Sequence, residues 1–184
     1  MDEAEIVTTE HGDVPRGEGW YVLNARRAQW QHSQGFGGSD LSFQGDLRFP
    51  EVGFHVGVLQ PGEPACMYHR EDTQEGFLVL SGRCLAIVEG HERLLEPWDF
   101  LHCPGGTEHV LVGAGDGPCV VIAFGARRPD DGTLYVANEL AARFGASVAA
   151  DTADAAVAYA DAPHFTDGPA PVLPPAGLGP TASG

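Results

Sequence analysis

Between residues 46 and 128 the chain repeats one pattern, a short apolar run closed by a turn, and that pattern limits the folds open to it. Val52-Gly53-Phe54-His55-Val56-Gly57-Val58-Leu59 ends at Pro61-Gly62. Gly76 to Leu80 stops at Ser81-Gly82, and Arg83 to Glu89 stops at Gly90-His91. Glu92 to Leu95 and Asp99 to Cys103 follow, the latter closed by Pro104-Gly105-Gly106. His109 to Val112 ends in Gly113 to Gly117, and Cys119 to Phe124 is the last strong run. Short, evenly spaced runs between turn residues predict an all-β barrel or sandwich rather than strands joined by helical crossovers.

The flanks read differently. Residues 1–45 are mixed: Trp20-Tyr21-Val22-Leu23 predicts a short strand, and Gly35-Phe36-Gly37-Gly38 predicts a loop. This zone reads as an arm packed on the barrel or on a second subunit. Residues 46–128 form the expected barrel. In 129–165, Asn138 to Phe144 predicts a short helix ended by Gly145. A second helix, capped by Asp151 or Thr152, is expected to run to Tyr159. The remaining 166–184, rich in Pro, Gly and Ala with almost no charge, reads as a disordered tail.

Charge excludes some partners. The net charge is −16, with only 10 Lys plus Arg in 184 residues. Phosphate backbones and anionic membranes need clustered cations, so neither nucleic acid nor a membrane surface is expected as a partner. No run approaches the roughly 20 apolar residues that span a bilayer. The acidic N-terminus does not read as a secretory signal. Cys66, Cys84, Cys103 and Cys119 stand far apart without a C-x-x-C pair. They read as buried free thiols, which suits a cytoplasmic protein.

The segment that carries chemistry is His69-Arg70-Glu71-Asp72-Thr73-Gln74-Glu75. Residues two apart on a strand share a face, so His69 and Glu71 can point the same way. A short turn can bring Glu75 back to the same point, and His109 arrives from a distant strand. Two imidazoles with one or two carboxylates suit a divalent first-row metal. His102 and Cys103 alternate faces, so only one can line a cavity, and His55 lies on the face opposite Phe54, Val56 and Val58. His11, His32, His91 and His164 read as solvated. No nucleophile elbow, P-loop or dinucleotide fingerprint is present.

The two segments together resemble the cupin family. Its first motif, G-x5-H-x-H-x3,4-E-x6-G, is matched by His69, Glu75 and Gly82, with Glu71 in place of the second His and Gly62 one residue too far upstream. Its second motif, G-x5-P-x-G-x2-H-x3-N, is matched by Pro104, Gly106 and His109, with Trp98 for the first Gly and Gly113 for the final Asn. Asp99 matches the Asp that often follows that first Gly, and fifteen residues separate Gly82 from Trp98, the short spacing of small bacterial cupins. The resemblance spans about residues 50 to 125.

It implies a double-stranded β-helix, or jelly-roll, barrel with short C-terminal helices. It further implies one metal ion held by His69, Glu75 and His109. Glu71 enters by position only, either as a fourth ligand or as a hydrogen-bond partner of His69. Mn, Fe or Zn is the expected ion, with Ni or Cu as alternatives. The resemblance points to a metal-dependent enzyme of dioxygenase, isomerase or decarboxylase type acting on a small organic molecule. The alternative is a non-catalytic binding or sensor cupin. The aromatic arm from Trp20 to Phe43 suits pairing of two copies, so a homodimer is expected.

Overall fold

The structure, a computed structural model, describes residues 1–174. Residues 175–184, the end of the expected disordered tail, lie outside the described residues. The chain opens with a hairpin, β1 (Glu5–Thr9) and β2 (Gly12–Arg16), then two short strands, β3 (Trp30–His32) and β4 (Ser39–Leu41). The expected barrel region carries β5 (Val52–Leu59), β6 (His69–Glu71), β7 (Glu75–Ser81), β8 (Arg83–Val88), β9 (His91–Leu95), β10 (Phe100–Cys103), β11 (His109–Ala114) and β12 (Cys119–Ala126). After it come β13 (Thr133–Tyr135), α1 (Glu139–Ala142), α2 (Ala155–Ala158) and β14 (Thr166–Gly168).

Two antiparallel sheets face each other. One has the order β10-β7-β12-β5-β4-β3-β14 and the other β13-β6-β11-β8-β9. Alternation along the strands sorts the side chains into layers. Phe77, Val79, Cys84, Cys103, Leu111, Cys119 and Val121, drawn from both sheets, fill the space between them. On the opposite face of the larger sheet Trp30, Leu41, Val56, Val58 and Val120 pack together, against Leu23, Ala25, Ala170 and Leu173. The opposite face of the smaller sheet, with Ile87, Val110 and Val112, is covered by Tyr68 and by Ala141 of α1. The result is an all-β barrel with few, short helices.

Several expectations outside the barrel are corrected. Trp20 to Leu23 is not a strand: Trp20 forms one isolated bridge to Glu3, and Trp20 and Val22 face solvent with no sheet edge to pair with. The strands of this zone are instead the hairpin, whose register closes at Thr9 opposite Gly12, and β3 and β4, which extend the larger sheet beside β5. Trp30 and Phe36 are buried within the chain itself. The second helix starts later than expected and is capped by Asp154, whose side chain accepts from Ala156 N. Asp151 is already engaged by Ala137 N, and the backbone of Thr152 is bridged to Tyr135. Residues 166–168, placed in the disordered tail by composition, form β14 on the edge of β3. His32 of β3 is not simply solvated, because its ring bonds Ser39 Oγ at 2.9 Å and Pro169 O at 2.8 Å, fastening that segment.

Candidate metal centre

Antiparallel pairing places His69 of β6 directly opposite His109 of β11. Glu75 is the first residue of β7 in the facing sheet, so the turn Asp72-Thr73-Gln74 carries the chain from one sheet to the other. That turn is fastened on both sides. Thr73 Oγ1 donates to Ala126 O at 3.0 Å and Asp131 Oδ2 at 2.7 Å, and Asp72 N donates to Gly132 O. The Pro104–Gly106 turn packs against it through Gly106 N donating to Glu71 O at 2.7 Å. Gly105 is required there, since a Cβ would fall 2.3 Å from Asp72 O.

His69, Glu75 and His109 converge, with one ligand atom from each within 4.8 Å of the others. Each imidazole is oriented by a backbone carbonyl two residues earlier. His69 Nδ1–H donates to Met67 O at 2.8 Å, and His109 Nδ1–H donates to Thr107 O at 3.0 Å. A carbonyl can only accept, so both rings carry the proton on Nδ1 and turn an Nε2 lone pair inward. His109 Nε2 is buried with no hydrogen-bond partner among the described residues, although it lies 3.3 Å from Glu75 Oε2. An imidazole lone pair and a carboxylate oxygen both accept. Such a contact is stable only with a proton or a cation between them.

The electrostatics agree. Burial, then the neighbouring His69, pushes His109 down to about 4, so the ring is neutral. His69 is also lowered by burial. Burial, then the charges of Glu71 and Asp131, pushes Glu75 up to about 8. The trio is a cluster able to hold a metal ion, and the orphaned His109 nitrogen fits that role.

The other expected residues fall as follows. Glu71 shares the inward face with His69 but stands outside the trio, and lines a cavity of about 430 Å³ with Glu75. Its carboxyl is raised by burial and by Asp131, and lowered less by Arg127. Cys103 faces the core and His102 faces solvent. His55 does oppose Val56 and Val58, and its face is the inner one: it lines the same cavity, with Nδ1 3.0 Å from Asp40 Oδ2. Sequence reasoning missed His55, Arg127 and Asp131 as cavity residues. The signal in β5 was the alternation itself, small or polar Gly53, His55 and Gly57 against apolar Phe54, Val56 and Val58.

Residues 55–125 match the family model described as a cupin domain. Among solved structures, the chain is similar to a proposed sugar phosphate isomerase from Acidithiobacillus ferrooxidans, at 26% identity and TM-score 0.44, covering 46% of this chain and 56% of that one. It is similar to a sugar phosphate isomerase from a cupin superfamily from Silicibacter pomeroyi, at 23% identity and TM-score 0.48, covering 60% of this chain and 67% of that one. It is also similar to KdgF from Halomonas sp., at 22% identity and TM-score 0.49, covering 61% of this chain and 98% of that one. No curated protein matches the chain. Among the described residues no helix is long and apolar enough to cross a membrane.

Proposed function

This chain is a small cupin-domain protein, and from that premise we propose that it is a metal-dependent enzyme acting on a small organic molecule held in the barrel. The observation that carries the reading is the buried His109 Nε2, which has no hydrogen-bond partner among the described residues and faces the Glu75 carboxylate. His69, Glu75 and His109 would hold one divalent transition metal, and their nitrogen and oxygen donors suit Mn, Fe or Zn, with Ni or Cu also accommodated. When bound, such an ion supplies Lewis-acid polarisation of a substrate oxygen or, if it is iron, dioxygen chemistry.

The chain's own residues do the rest. The Met67 and Thr107 carbonyls hold the two rings in one tautomer. Glu71 stays outside the ligand set and adds negative charge beside Glu75. His55, held through Nδ1 by Asp40, has Nε2 left to take or give a proton in the cavity. An isomerase or decarboxylase needs such a proton carrier, whereas a dioxygenase does not.

Metal analysis of protein purified without added metal tests the centre. About one equivalent is expected in the parent and in Glu71→Gln, with loss in His69→Ala, His109→Ala and Glu75→Gln. Variants that bind as much metal as the parent would show that the ligands lie elsewhere. Turnover and oxygen uptake against enols, thiols and catechols then test the enzyme. In an isomerase or decarboxylase, His55→Gln should lower kcat on the order of 100-fold. A ligand that raises the melting temperature with no product formed would mark a binding protein instead.

A further inference from the structure

The cavity beside the trio gathers positive charge in a strongly acidic molecule. The net charge is −16, and the ten basic side chains are all arginines. Three of them, Arg48, Arg127 and Arg128, line the cavity that also holds Glu71 and Glu75. Among the described residues no carboxylate forms an ion pair with any of the three.

Arg127 is fixed in place. Its Nη1 donates to Phe49 O at 2.6 Å and to Gln44 Oε1 at 2.9 Å. The other edge of the guanidinium lies over Gly53, where a Cβ would stand 3.4 Å from both Nε and Nη2. Burial and then the like charge of Arg48 disfavour its protonated form, and the charge of Glu71 partly offsets them. Glu71, Glu75 and Asp131 line the same cavity, with Glu75 leaning from β7 over Gly125.

The register fixes how Glu75 and Arg127 relate. Glu75 on β7 pairs with Gly125 on β12, and Gly125 pairs with Gly53 on β5. In this row the Glu75 side chain leans over Gly125 and the Arg127 guanidinium over Gly53. The next row, Phe77, Ala123 and His55, is also small at its centre. At the central positions of these two rows, on β12, the chain itself carries only Gly125 and Ala123.

We propose that Arg127, with Arg48 and Arg128, forms an anion subsite that holds the carboxylate or phosphate of an organic substrate whose other end reaches the trio. The proposal rests on the reading of the trio as the reactive centre. A guanidinium fork with one edge pinned and one edge open suits the paired oxygens of either group.

The test is calorimetric titration of the metal-loaded full chain with inorganic phosphate and, separately, with succinate, with metal content measured on the same samples. The parent should bind one of these anions. Arg127→Gln and Arg48→Gln should each weaken that binding roughly tenfold or more, with metal content unchanged. Preference for phosphate assigns a phosphate ester, and preference for succinate assigns a carboxylic acid. Equal affinity in the parent and both variants overturns the subsite, as does a fully metal-loaded parent that binds neither anion. If the parent holds no metal, the reading of the trio fails. The same titration on that metal-free protein still decides the subsite, because Arg127 is positioned by protein atoms alone.

Discussion

Two backbone carbonyls determine what the paired histidines can do. With Met67 O and Thr107 O each accepting an Nδ1–H, neither ring can present a proton to Glu75 while neutral. Glu75 must then be the group that holds the proton without metal, consistent with its rise to about 8 and the fall of His109 to about 4. Near pH 7, binding an ion should release about one proton, and apparent affinity should rise with pH until about 8 and then level. Titration in buffers of differing ionisation enthalpy measures this, and no release would mean that Glu75 is already ionised. Stability should follow the same groups. Glu75 is raised above its unfolded value of 4.5, so its contribution is present below that value and is lost as pH rises through about 8. His109 is lowered from 6.5, so its contribution is present above 6.5 and is lost as pH falls through about 4. Above 6.5 the His109 contribution is complete while the Glu75 loss continues, and the raised Glu71 acts in the same direction, so the metal-free protein should melt earlier at pH 8 than at pH 6.5. The convergence of His69, Glu75 and His109 was legible in the sequence because two spaced motifs both end on imidazoles. The place of Glu71 beside them was not, because that depends on where the turn Asp72-Thr73-Gln74 delivers Glu75.

At the scale of strands and turns, the two departures from the second motif have separate physical explanations. Gly113 lies on β11 under the Gln60–Glu63 turn, exchanging hydrogen bonds with Gly62 N and Glu63 O. A Cβ there would fall 2.1 Å from Gln60 O. Gly113→Asn, which would restore the motif, should destabilise the fold by more than about 2 kcal/mol or prevent folding, as read by chemical denaturation. Trp98 is the reverse case. It sits where the motif has Gly, with φ of 77° and a side chain 59% exposed. A left-handed backbone costs a bulky residue about 1–2 kcal/mol. Trp98→Gly should therefore stabilise by about 1 kcal/mol, and a clear loss would mean that the indole packs more than its exposure implies. The barrel strands could be read from their apolar runs and closing turns. The β1–β2 hairpin could not, because Gly12-Asp13-Val14-Pro15-Arg16 carries a proline and two charges and owes its pairing to a two-residue turn.

For the whole molecule, the hard question in the sequence was which face of each strand points inward. Apolar residues usually mark the inside, but β5 reverses that rule: Val56 and Val58 pack outward under the arm, while His55 lines the cavity. Both faces of the larger sheet are covered, so alternation alone cannot name the inner one. The outer apolar layer centres on Trp30, which is fully buried, with Nε1 donating to Ala25 O at 2.8 Å. Trp30→Ala should cost about 3–5 kcal/mol in denaturant unfolding. Because the lesion lies on the far side of the sheet, the folded variant should still take up metal, and loss of both together would mean that the two layers are one cooperative unit. The glycines of the inner face have a different consequence. Glu75 and Gly53 stand two strand spacings apart, about 10 Å, but the Glu75 side chain leans over Gly125 and the Arg127 guanidinium over Gly53. Each glycine is thus a seat for one charged side chain, and the two seats lie one strand spacing apart, about 5 Å, so a compact molecule of a few carbons can reach the ligand carboxylate and the arginine edge at once.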